Sequence, residues 1–92
     1  MNALLIKATG ESLSIKPKNG KNFTLEELYK LIGCDMIEVV YPLYDSDLIF
    51  IIDEEGKLTG KDINYAATIM WGGANYDMLV GDVIVCHTSM LK

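Results

Sequence analysis

Arginine is missing from this chain of 92 residues, histidine occurs once, and cysteine and proline occur twice each. Arginine carries the planar fork that reads phosphates and guanine edges bidentately, so its absence, with thirteen acids against eight lysines and a net charge of -5, argues against a grip on duplex nucleic acid. The lone His87 sits next to Cys86 in a strand pattern, where adjacent side chains face opposite ways, so the pair is a poor start for a zinc site. No GxSxG elbow surrounds a serine, and neither GxxxxGK[ST] nor GxGxxG is present, so nucleophilic triads and the common phosphate loops have no frame here. His87 reads as a strand-end residue, and Asp53-Glu54-Glu55 before Gly56-Lys57 reads as a solvated hairpin tip. The expectation is a non-enzymatic protein with no catalytic residue, no metal and no cofactor.

Cys34 and Cys86 stand far apart without a CxxC spacing, which fits two buried thiols in a reducing compartment. No apolar run approaches the ~20 residues of a membrane span, and MNALLIKATGES turns polar too soon for a signal peptide. These readings point to a cytoplasmic protein. Half of the residues are hydrophobic, enough for one modest core over residues 1–92. A domain this small buries a limited share of its surface, so self-association is a natural route to stability and to a shared cleft.

Ala3 to Ala8 is a β run, Thr9-Gly10-Glu11 turns the chain, and Leu13 and Ile15 alternate with polar neighbours, which predicts a hairpin. Residues 17–22 form a turn cluster. Thr24 as N-cap, Glu27 three residues on, and Phe23 with Leu28 as a staple then predict a helix start. This helix has Leu25, Leu28, Leu31 and Ile32 on one stripe and ends at Gly33. Met36 to Tyr41 and Leu48 to Ile52 are strands, the second apolar enough to be interior. A second helix, capped by Asp62 or Asn64, carries Ile63, Ala66, Ala67, Ile69, Met70 and Trp71, and stops at Gly72-Gly73. Asp82 to His87 closes the chain as another interior strand. The order β-β-α-β-β-α-β predicts an α+β fold, with one five-stranded mixed or antiparallel sheet and two helices.

Binding chemistry concentrates near the second helix. Tyr41, Tyr44, Trp71 and Tyr76 lie at element ends or in loops, where flat rings can stack on a nucleobase. Lys57, Lys61 and the backbone N–H groups of Gly72 and Gly73 are candidates for phosphate, and Asn64, Asn75 and Asp82 for base edges or ribose hydroxyls. Each has a plainer reading: Trp71 as the last core residue of its helix with Tyr76 as its cover, Asn64 as a cap, Asp82 in a turn, and the lysines solvated.

The segments ALLIKATGES, IKPKNGKNFTLEELYKLIG, IDEEGKLTGKDINYAATIMW and LVGDVIVC, in that order, resemble the DUF3846 domain of phages, plasmids and other mobile elements. The resemblance spans nearly the whole chain. It departs at Lys61-Asp62-Ile63-Asn64, where such sequences often have a proline before the asparagine. It implies a mobile-element origin without an assigned activity. A short, acidic phage protein is similar in kind to counter-defence proteins acting in the infected bacterial cytoplasm. The expected function is to bind and sequester a nucleotide immune signal, of cyclic oligonucleotide or cyclic ADP-ribose type, without turnover. Its sites would lie at subunit interfaces of a homo-oligomer, with no role for duplex nucleic acid or membrane. The alternative is an acidic inhibitor that occludes a defence nuclease such as a CRISPR effector. A third reading is a small regulatory subunit without a defence role.

Overall fold

A computed structural model describes residues 3–44 and 46–91. The elements follow the expected order: β1 (Ala3–Ile6), β2 (Ser12–Ile15), α1 (Leu25–Ile32), β3 (Ile37–Val40), β4 (Leu48–Asp53), α2 (Tyr65–Trp71) and β5 (Val83–His87), with a short 3-10 turn at Thr88–Met90. The five strands form one sheet in the order β2-β1-β5-β4-β3, and every neighbouring pair is antiparallel. The fold is α+β, and both runs expected to be interior, β4 and β5, are flanked on each side.

The two helices cover opposite faces of the sheet. Ile49 and Ile51 of β4 and Ile84 and Cys86 of β5 pack with Leu28 and Ile32 of α1 and with Phe23. Their neighbours Phe50, Val83 and Val85 turn the other way, against Ala67 and Trp71 of α2 and against Leu79. Period-two alternation with both faces covered is why β4 and β5 read as unbroken apolar runs. Phe50, Ile51, Val83 and Ile84 are fully buried, and truncating one such side chain to alanine typically costs about 2–5 kcal/mol.

Helix α1 begins as its sequence predicts. The Thr24 hydroxyl accepts from the Glu27 N–H, and the Glu27 carboxylate accepts from the Thr24 N–H at 3.0 Å. Leu25 is a correction to the predicted stripe. It is the first residue of the helix and is 51% exposed. At the other end, Gly33 caps the helix in the left-handed region at φ 76°.

Helix α2 starts at Asn64, which decides between the two candidate caps. Ile63 lies outside the helix in an isolated bridge to Val80, because the Asn64 N–H is drawn to the Leu79 carbonyl at 2.8 Å and holds that stretch extended. Only Ala67, Thr68 and Trp71 of α2 are buried, while Ile69 and Met70 face outward. The cysteines are free; Cys86 is buried, but Cys34 is only partly so. Burial pushes the Cys86 thiol up to about 11. No helix of the described residues is long and apolar enough to cross a membrane.

Candidate functional site

The loop from β3 to β4 folds over the C-terminal end of α2, and the contacts are specific. The Trp71 indole N–H donates to the Tyr41 carbonyl at 2.8 Å, and the Tyr44 hydroxyl donates to the Met70 carbonyl at 2.7 Å. Trp71 is 8% exposed and belongs to the core. The rings of Tyr41 (67% exposed), Tyr44 (46%) and Tyr76 (81%) remain open to solvent.

Two glycines make this junction possible. Gly72 caps α2 at φ 86° and donates its N–H to the Thr68 and Ile69 carbonyls, so that amide is not free for a ligand. Gly73 has no room for a side chain, since a Cβ there would fall 2.4 Å from the Trp71 ring. The chain then makes one more turn, with the Tyr76 and Asp77 N–H groups both donating to the Gly73 carbonyl. Exposed Asn75 and Tyr76 ride on that turn.

Lys57 clasps the turn through an ion pair with Asp77. The hydrogen bond from Lys57, helped by the Met78 N–H, holds the Asp77 carboxyl below its ordinary pKa. Trp71, Lys57 and Asp77 line a cleft of about 290 Å³ with Glu38, Glu54, Val40 and Ile52. The lining carries more carboxylates than cations, which does not favour phosphate at this spot.

Three other predicted residues lie away from this cleft. Asn64 is fully buried and saturated: its Oδ1 accepts from the Ala67 N–H at 3.0 Å, and its Nδ2 donates to the Ile6 and Gly81 carbonyls at 2.8 Å each. Asp82 accepts from the Ala8 N–H at 3.1 Å. Lys61 pairs with Asp53 at 2.8 Å and donates to the Gly33 carbonyl at 2.9 Å, which sets a cation at the C-terminal end of α1. The predicted hairpin tip is therefore only partly solvated. Glu54 and Glu55 are exposed, but Asp53 is buried. Burial raises the Asp53 pKa, yet hydrogen bonds from Lys61 and the Glu55 N–H outweigh it, and the carboxyl sits below its ordinary range.

The fold thus gathers Tyr41, Tyr44, Lys57, Trp71, Asn75 and Tyr76 around the end of α2, and leaves Lys61, Asn64 and Asp82 to hold the fold elsewhere. Of the acids in this cleft, Glu54 was read from sequence only as part of a hairpin tip, and Glu38 and Asp77 were not singled out. A strand-edge glutamate and a loop aspartate give no local sign of converging. His87 closes β5 as expected, its Nδ1 accepting from the Ser89 N–H at 3.1 Å.

A family model described as a domain of unknown function, DUF3846, matches residues 1–90. The chain belongs to the DUF3846 family. No curated protein and no solved structure matches it. For this DUF3846 member, function is therefore argued from the arrangement of its own side chains, foremost the three open tyrosine rings on the frame around Trp71.

Proposed function

We propose that this DUF3846 protein binds and sequesters a nucleotide immune signal, of cyclic oligonucleotide or cyclic ADP-ribose type, without turning it over. It would act for a phage in the cytoplasm of an infected bacterium. The observation that carries the reading is the set of exposed rings, Tyr41, Tyr44 and Tyr76, on the loop and the turn that meet at the end of α2. Stacking a base on such a ring is worth ~1–3 kcal/mol. Lys57 and Asp77 neutralise each other and the Trp71 N–H is engaged within the fold, which leaves Glu38 and Glu54 as the carboxylates of the cleft without an ion-pair partner among the described residues.

A cleft of about 290 Å³ falls at the small end of the ~300–1,000 Å³ usual for enclosed ligands. A dinucleotide would need a second copy of the chain to cover it, which supports a homo-oligomer with sites at the subunit interface.

A thermal-shift screen against cyclic dinucleotides, cyclic trinucleotides and cyclic ADP-ribose isomers tests this reading. One class is expected to raise the melting temperature, and Tyr76→Ala or Tyr41→Ala to weaken that ligand about 5- to 150-fold, the equivalent of one lost stack. No shift with any of them would set the reading aside.

The second reading, an inhibitor that covers the basic groove of a nuclease, is favoured by charge segregation. Residues 35–92 contain ten acids against three lysines. Such a complex should weaken steeply with salt, whereas an enclosed, stacked ligand should persist.

A further inference from the structure

The lysines divide into two groups. Lys7, Lys57 and Lys61 each have a carboxylate partner, whereas Lys16, Lys18, Lys21 and Lys30 have none among the described residues. All four unpaired lysines lie between the end of β2 and the last turn of α1. Although the chain is acidic overall, residues 1–34 hold five lysines against three acids.

Three of the four meet at one cavity. Lys16, Lys18 and Lys30 line a cleft of about 560 Å³ between the edge strand β2 and α1, together with Ile15, Leu31, Asn19, Thr24, Glu26 and Glu27. Of its two acids, Glu27 is turned to the backbone: one oxygen accepts from the Thr24 N–H and the other from the Lys18 N–H at 2.9 Å. The start of α1 is thus already capped from within the chain. The lining holds three ammonium groups against the carboxylates of Glu26 and Glu27, a small excess of positive charge, and Ile15 and Leu31 add apolar surface.

We propose that the β2–α1 cleft is an anion site for the phosphates of a small phosphorylated ligand. Lys16, Lys18 and Lys30 contact the phosphates, and Ile15 and Leu31 receive the group that carries them. The site is independent of the tyrosine cluster. Ile15 and Leu31 pack on the α1 face of the sheet, whereas Trp71 belongs to the α2 face. It differs in charge from the α2 cleft, whose lining is acid-rich and whose one lysine is already paired.

The test is a titration of the ¹⁵N-labelled full chain with ADP and with inorganic pyrophosphate, followed by amide chemical shifts. Both probes are expected to move amides of residues 15–31 saturably. Removing a charged contact should cost about tenfold in affinity for each lysine involved. That loss is read in Lys16→Glu/Lys30→Glu, and again in Lys16→Gln/Lys30→Gln, which removes charge without reversing it. Tyr41→Ala/Tyr76→Ala should leave this binding unchanged, so the outcome is separate from that of the signal screen. Tighter binding of ADP than of pyrophosphate would assign the nucleoside to Ile15 and Leu31, and equal binding would assign recognition to the phosphates alone; either supports the site. No saturable shift, shifts centred on residues 41 and 71–77, or undiminished affinity in both lysine variants would overturn it.

Discussion

Asn64 is fully buried, and its side chain ties three parts of the chain together. Its amide satisfies carbonyls from two distant parts of the chain while its oxygen caps α2. Asn64→Ala loses the cap, worth about 1 kcal/mol, and strands two buried carbonyls, so unfolding in urea should show a loss of about 3 kcal/mol. Asn64→Asp keeps the cap but cannot donate, and should recover only the smaller part. The sequence presents Asn64 equally well as a cap or as a ligand residue. The first role rests on a local contact three residues on. The two amide bonds reach 58 and 17 residues away, and no local pattern announces them. The same holds for Lys61, whose partners are a buried aspartate and the carbonyls that end another helix.

At the scale of elements, the two helices differ in how they are defined. α1 carries its own start signal, and Thr24→Ala should cost about 1 kcal/mol in chemical denaturation while Thr24→Ser costs little. Its capping box and staple lie within residues 23–28 and its terminal glycine is Gly33, each a local signal at one end of the helix, which is why its bounds could be read from sequence. α2 is defined from outside, by the Leu79 carbonyl, the Tyr41 carbonyl and the packing of Trp71 under Gly73. Its start and its buried face were accordingly less legible, with Ile63 falling outside and Ile69 and Met70 facing solvent. The tie between β4 and the end of α1 is electrostatic, and its pH response has a definite sign. Asp53 ionises more readily in the folded chain. Its contribution is therefore present above the unfolded carboxyl pKa of about 4 and is lost as pH falls through the lower folded value. Equilibrium unfolding of Lys61→Met, compared with the parent protein between pH 7 and pH 3, should show lower stability at neutral pH. The difference between the two should narrow as the medium becomes acid.

Across the whole molecule, a one-sheet frame with a helix on each face supports two surfaces of opposite character. One is tyrosine-bearing and acidic at the end of α2, and the other is lysine-lined between β2 and α1. The aromatic surface was visible in the sequence as rings gathered at element ends. The lysine cleft was not singled out, because its charges are spread over fifteen positions and converge only when α1 folds back on the sheet. Its one trace in the sequence is the excess of lysine over acid before Gly33. The central claim is sequestration without turnover at the aromatic surface, and it is tested most directly by recovering the ligand. The purified protein is loaded with the cyclic nucleotide or cyclic ADP-ribose isomer that stabilises it, freed of excess, denatured by heat, and the released small molecule is identified by chromatography and mass spectrometry. The account predicts the intact ligand, in stoichiometric amount from the parent chain and in much reduced amount from Tyr41→Ala/Tyr76→Ala. Recovery of a cleaved product, or of the same amount from the tyrosine variant, would contradict it.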